Sequence, residues 1–242
     1  MKKILLPALL FPLSLMAAES GYRLDHSPND VRDLVSLQAG ARTFVNYCQG
    51  CHGAQYMRFN RLTEIGLTEA QIRDNLMFTA DKIGEPIRIA FPPKDAKAWF
   101  GVAPPDLSVV ARSRGADWLY TYLRTFYRDP KTPSGWNNIV YPNVAMPHVL
   151  WTLQGERGLV VETVKDLAGH ERLEYRWSQI SPGALSQVEY DAAARDLVNF
   201  LVYVGEPAAT RRKAIGIVVL FVLGVLFIFA YLLKKEFWKD VK

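Results

Sequence analysis

Cys48-Gln49-Gly50-Cys51-His52 decides how this chain is read. The run is C-x-x-C-H, two thiols about one helical turn apart followed by an imidazole, which is the attachment signature of a c-type haem. Thiols at this spacing form thioether bonds to the two vinyl groups of one porphyrin, and the adjacent histidine then stands under the iron as its fifth ligand. Other readings of the five residues are weak. Cys48 and Cys51 are the only cysteines in 242 residues, which excludes a four-cysteine zinc or iron–sulfur site. A thioredoxin-type C-x-x-C follows a strand, whereas a helix-like pattern precedes this one. A disulfide across two residues would leave His52 without a purpose. The motif therefore implies one-electron transfer or, with an open iron position, gas binding.

Upstream of the motif, Leu34, Leu37, Ala41, Phe44, Val45 and Cys48 share one stripe at spacings of three and four. That predicts a helix running into the haem site, capped by Asn29 or Asp30. Further along, Thr68 and Gln71 form a capping box opening a second helix. Residues 116–128 predict an aromatic-rich third helix stopped by Asp129-Pro130. Residues 190–204 predict a fourth, ended by Gly205 and Pro207. Proline-rich connections at 84–107 and 130–148 read as loops. Residues 159–164 and 171–177 alternate around Ala168-Gly169 and predict a small β-hairpin.

Both ends of the chain carry addresses. Lys2 and Lys3 precede an apolar run from Ile4 to Met16, and Ala17-Ala18 offers a small-residue cleavage site. Residues 1–18 thus read as a secretory signal peptide, its apolar run too short to span a bilayer. Ala214 to Leu233 is 20 residues without a charge, enough to cross about 30 Å of hydrocarbon. Arg211-Arg212-Lys213 and Lys234-Lys235 flank it, and Tyr231 and Trp238 suit an interface belt. The expected organisation is an exported domain at 19–210, a transmembrane anchor at 211–235 and a cytoplasmic tail at 236–242. The domain is periplasmic and the anchor sits in the inner membrane.

The overall charge of +5 misleads. Lys2, Lys3 and seven basic residues around the apolar segment hold nine of the 29 basic groups, and Glu236 and Asp240 hold two of the 24 acidic ones, so residues 19–210 carry 20 basic and 22 acidic groups and a net charge of −2. A domain of that sign argues against nucleic-acid binding and suits a basic protein partner. The acids Glu156, Glu162, Asp166, Glu171 and Glu174 are interleaved with Arg157, Lys165, Arg172 and Arg176, the pattern of a solvated face.

A sixth iron ligand decides what the metal can do, since a thioether raises the potential and blocks small ligands. Met1 and Met16 leave with the signal peptide, and Met57 is five residues past His52, too near to reach the opposite face. Met77 lies among apolar helical residues, where methionine usually fills gaps. Met146 precedes Pro147, which favours an extended backbone, and lies 94 residues beyond His52. Met146 is the favoured ligand, with Met77 and His148 as the alternatives.

The chain resembles the cytochrome c family. Gly40, Phe44 and Cys48, spaced by four, resemble its N-terminal helix, and Asp196-Leu197-Val198-Asn199-Phe200-Leu201 resembles the C-terminal helix that crosses it. The match is closer to the cytochrome c1 family, the anchored haem subunits of quinol:cytochrome c reductase (bc1) complexes. Met57-Arg58-Phe59-Asn60-Arg61-Leu62 resembles that family's M-R-Y-N-R-L, with Phe59 in place of tyrosine. Ala103-Pro104-Pro105-Asp106-Leu107-Ser108, followed by Arg112-Ser113-Arg114-Gly115, resembles its P-P-D-L-S and R-x-R segment. Asn143-Val144-Ala145-Met146-Pro147 resembles its methionine loop. Residues 94–101 depart from the usual approach to P-P-D-L-S, and no extra cysteine pair is present.

The resemblance implies an all-α, class I cytochrome c-like haem domain with loop and small β-hairpin insertions, plus one C-terminal transmembrane helix. It implies one covalent haem c held by Cys48 and Cys51, with His52 and Met146 on the iron. It further implies that the Pro105 carbonyl accepts from His52, Leu107 packs on the ring edge and Arg114 pairs with a propionate, Arg112 being the reserve. The chain would not be an enzyme on its own. It would take an electron from a Rieske iron–sulfur protein, sit beside cytochrome b in a homodimeric complex, and pass the electron to a soluble or tethered c-type cytochrome. The alternative is a free-standing anchored monohaem cytochrome feeding a terminal oxidase.

Overall fold

In the computed structural model, which describes residues 22–89, 91–165 and 171–240, helices and short strands alternate along the chain. They are α1 (Leu34–Tyr47), β1 (Ala54–Arg58), a 3-10 helix (Phe59–Ile65), α2 (Glu69–Asn75), β2 (Pro86–Ile87), α3 (Pro93–Phe100), α4 (Val110–Arg114), α5 (Ala116–Arg124), β3 (Phe126–Arg128), β4 (Trp136–Asn138), α6 (Trp151–Gln154), β5 (Gly155–Lys165), β6 (Glu171–Pro182), α7 (Gln187–Gly205) and α8 (Ala209–Phe237). The expected signal peptide at 1–18 and the expected hairpin turn at Ala168-Gly169 lie outside the described residues.

The frame is the crossing of α1 and α7. Leu37, Ala41 and Phe44 on α1 and Leu197, Phe200 and Leu201 on α7 are buried in one core. The Phe44 and Phe200 rings meet with centroids 5.7 Å apart. At Gly40 the two backbones approach so closely that a Cβ would fall on the Asp196 carbonyl oxygen and lie 2.7 Å from Phe200 Cβ. Polar bonds fix the register of the crossing. Ser36 Oγ donates to Asp196 Oδ1 at 2.7 Å, and the buried Asn199 Nδ2 donates to Ser36 Oγ at 3.0 Å and to the Asp30 carbonyl at 2.8 Å.

The cap of α1 is Asp33, whose carboxylate accepts from Ser36 N–H at 3.0 Å, and not Asn29 or Asp30. An N-cap oxygen must reach the second or third helical N–H, and only Asp33 adjoins the first turn. Asp30 instead grips Arg32 through both carboxylate oxygens, at 3.0 and 2.9 Å. Capping boxes open α2 at Thr68/Gln71, as the spacing predicts, and α7 at Ser186/Glu189.

The all-α expectation is corrected by three two-stranded antiparallel sheets, β1–β2, β3–β4 and β5–β6, so the fold is mixed. The expected third helix stops at Arg124. Phe126, Tyr127 and Arg128 leave it to pair with Asn138, Asn137 and Trp136. Strands of two to five residues are too short to show a period of two, and they form because buried backbone needs partners. The β5–β6 hairpin is where the alternation places it and longer than expected, pairing Gly155 with Pro182 at one end and Lys165 with Glu171 at the other. Arg124 ties three segments together: its Nε and Nη2 grip Asp191 at 2.7 and 2.9 Å, and its Nη1 reaches Asp25 at 2.6 Å.

Helix α8 continues the chain almost directly from α7. Its apolar portion lies within Ala214–Phe237, where an 18-residue window reaches a mean hydropathy of 3.0 and is nowhere buried against the rest of the described chain. An all-round apolar helix of that length is suited to lipid.

Candidate functional site

Helix α1 delivers the motif. Cys48 N–H donates to the Phe44 carbonyl at 2.8 Å, and the Cys48 carbonyl accepts from Cys51 N–H at 3.0 Å and His52 N–H at 2.8 Å. The chain thus winds one further tight turn, which gathers both thiols and the imidazole. Cys48 is buried and Cys51 half-buried, and neither is in a disulfide. Burial, reinforced by the neighbouring Cys51, pushes the Cys48 thiol up to about 12. A buried neutral thiol is a poor redox nucleophile.

The His52 ring is buried, and its Nδ1–H donates to the Pro105 carbonyl at 2.7 Å. Burial holds the imidazole pKa below its usual value, opposed by the Pro105 bond and by Asp106. The ring is therefore neutral, and the tautomer set by Pro105 leaves the Nε2 lone pair for a metal.

The Pro105 carbonyl is itself held in place. Leu107 N–H donates to the Gly53 carbonyl at 2.7 Å. Asp106 Oδ2 accepts from Gln55 N–H at 2.9 Å and its Oδ1 from Ser108 N–H at 2.9 Å, while Ser108 Oγ accepts from Tyr56 N–H at 3.0 Å. Residues 104–108 are thus stitched to β1, the strand that follows His52. Sequence reasoning gave Asp106 and Ser108 no role, although an aspartate two residues before a serine after two prolines is an Asx-turn signal. Leu107 packs half-buried against the core. Asp106→Ala leaves the N–H groups of Gln55 and Ser108 unpaired. It should cost about 1–2 kcal/mol, measured as a lower thermal midpoint; an unchanged midpoint would show that the stitching contributes nothing.

Met146 lies on a separate wall. It is half-buried, and its Sδ accepts from the Tyr122 hydroxyl at 3.3 Å. Burial raises the Tyr122 pKa far above the ordinary phenol value, so the hydroxyl remains a donor. Tyr122 stacks on Trp118, centroids 4.9 Å apart, and the Arg114 guanidinium lies 5.1 Å from the Trp118 centroid and 6.0 Å from that of Tyr141. Arg114 is therefore linked through Trp118 and Tyr122 to the methionine wall. The stem of Arg112 lies against Gly205 at the end of α7.

Of the two alternative ligands, His148 has its Nε2 buried without a hydrogen-bond partner among the described residues. Met77 follows α2 and packs half-buried against the core. His148 is buried and stacked on Phe126 at 4.8 Å, with Trp136 edge-on at 5.1 Å. Burial pushes its pKa down to about 3, so the ring is neutral.

Two free thiols and an imidazole whose Nε2 is left unbonded by Pro105, gathered in one tight turn, are what a covalent haem c requires. The residues present fit that group. The sequence model of the Cytochrome C1 family matches residues 26–241. The chain is 49% identical over 241 residues to the "Ammonia monooxygenase gamma subunit" of Nitrosomonas europaea, covering 99% of this chain and 98% of that protein. It is 48% identical over 244 residues to the "Cytochrome c1" of Allochromatium vinosum, covering 100% of both. It is 28% identical over 242 residues to the "Cytochrome c1" of Rhodospirillum rubrum, covering 87% of this chain and 83% of that protein.

Proposed function

Since the chain belongs to the cytochrome c1 family, we propose that it takes one electron from a Rieske iron–sulfur protein and passes it to a c-type cytochrome, as the haem c subunit of a quinol:cytochrome c reductase. Membership of the family carries covalently bound haem c and an electron-transfer role as a subunit of the bc1 complex. The apolar helix at 214–237 fits a single-pass membrane protein.

The observation that carries the reading is the 2.7 Å bond from His52 Nδ1–H to the Pro105 carbonyl beside the two free thiols. It orients the ring, selects the tautomer and raises the basicity of Nε2. When bound, the haem supplies a one-electron couple, and no substrate bond is made or broken. Cys48 and Cys51 would hold the single group, and His52 and Met146 would bind its iron. Leu107 would pack against it and Arg114 would pair with a propionate, a carboxylate that is costly to bury unpaired. Catalysis of quinol oxidation belongs to the partner subunits. Residues 1–18 act as the leader, 19–210 form the periplasmic domain, 211–235 anchor it in the inner membrane beside cytochrome b, and 236–242 are the cytoplasmic tail. The anchor keeps donor and acceptor at high effective concentration. The assembly is a homodimeric complex.

A second reading takes its support from the name of the Nitrosomonas europaea relative, that of a monooxygenase subunit. Purification in mild detergent, with subunit identification and a haem stain of the denatured gel, separates the readings. The expected result is a covalent haem band that travels with a b-type cytochrome and a Rieske protein. Travel with monooxygenase subunits would favour the second reading, and a haem band purifying alone would favour a free-standing anchored cytochrome.

A further inference from the structure

We propose that Asn138, with Asn137 beside it, is the positioning device that aims Met146. The inference rests on the reading of Met146 as an iron ligand. Both asparagines are buried, and Asn138 has no exposed surface. They are neighbours on β4, so their side chains leave the strand on opposite faces.

Asn138 joins the end of α5 to the start of the methionine loop. Its Nδ2 donates to the Tyr122 carbonyl at 2.7 Å. Its Oδ1 accepts from Val140 N–H at 2.9 Å, Tyr141 N–H at 3.2 Å and Thr125 Oγ at 3.3 Å. Asn137 works on the other side. Its Nδ2 donates to Asp129 Oδ2 at 2.8 Å, anchoring it to the β3–β4 turn. Its Oδ1 accepts from Asn143 N–H at 2.8 Å. Asn143 is the one non-glycine residue with a positive φ, +60°, among the described residues, and it stands three residues before Met146. The left-handed step turns the chain back, and the side chain of Asn137 holds that step.

The Asn138 clamp and the sulfur contact meet on the same tyrosine. Asn138 holds the backbone of Tyr122, and the hydroxyl of Tyr122 holds Met146 Sδ. The loop and the helix that carries its sulfur's donor are therefore locked to each other by one amide side chain. A sulfur on an otherwise untethered loop would spend part of its time away from iron, in proportion to the loop's open population. The asparagines suppress that population, because opening would strand buried N–H groups and a buried carbonyl.

The test uses the full chain in its native membrane and reads the sulfur-to-iron charge-transfer band of the oxidised protein and carbon monoxide binding by the reduced protein. Asn138→Ser removes the reach to Tyr122, and Asn137→Ala, at the less enclosed site, covers the case in which the first variant fails to fold. Each should keep a covalent haem band on a denaturing gel, weaken the charge-transfer band, and raise the carbon monoxide-reactive fraction about fivefold per lost hydrogen bond. Asn138→Asp, which keeps the acceptor for Val140 and Tyr141 but sets a carboxylate oxygen against the Tyr122 carbonyl, should raise the reactive fraction at least as far as Asn138→Ser. If both asparagine variants keep the parent's band and its inertness while Met146→Leu loses them, the positioning role is wrong and the ligand assignment stands. If Met146→Leu also keeps them, the ligand assignment falls and this inference falls with it.

Discussion

Met146→Leu should lower the midpoint potential by on the order of 0.2 V, part of the roughly 0.8 V range that axial ligands span, and should open the reduced iron to carbon monoxide. Leucine nearly matches methionine in volume, so packing is disturbed little, but it has no lone pair. A thioether favours the reduced state of the iron, so its loss favours the oxidised one. The Tyr122 hydroxyl, 3.3 Å from Met146 Sδ, also loses its acceptor, and stability should fall by about 1 kcal/mol or more. Met77→Leu is the control: Met77 packs half-buried against the core beside α2, and on this assignment the change should leave the midpoint unchanged. A normal midpoint in Met146→Leu, or a shifted one in Met77→Leu, would overturn the assignment.

Gly40→Ala should destabilise the haem domain by about 3 kcal/mol, although the same change in an isolated helix is favourable by about 0.5–1 kcal/mol. The sign reverses because the added methyl would land on the Asp196 carbonyl oxygen and 2.7 Å from Phe200 Cβ. Both are held by the helix they belong to, so α1 and α7 must move apart. That loosens the Phe44–Phe200 contact and the Ser36–Asp196 bond together. For a domain of this size the loss is worth about 6–12 °C of melting temperature. A midpoint equal to or above that of the parent would show that the crossing has room to spare.

Much of the site was legible in residue order. Cys48, Cys51 and His52 are adjacent in the chain, so their chemistry needs no tertiary information, and the apolar stretch from Ala214 announces itself by length. The resemblance of Gly40, Phe44 and Cys48 to the N-terminal helix of the cytochrome c family implied the crossing with α7, and there the structure agrees. Asp33 was missed as a cap because three acidic or amide residues compete within five positions, and only backbone geometry selects among them. The end of α5 was misread because Thr125, Phe126 and Tyr127 continue a helical apolar stripe, while their partners 136–138 lie across a turn.

What residue order determined alone was local: the C-x-x-C-H motif, the Thr68/Gln71 capping box, and an apolar segment defined by its own hydrophobicity. Each depends on interactions within a few residues, or on solvent alone. Tertiary structure decided which atoms meet across long separations. It set the Pro105 carbonyl against an imidazole 53 residues away and the Tyr122 hydroxyl against a sulfur 24 residues away. It also closed two asparagines around a left-handed turn. Hydrogen bonds carry no trace in the sequence of which partner they will find. That choice belongs to the packed core, whose burial fixes which donors and acceptors come within reach of one another.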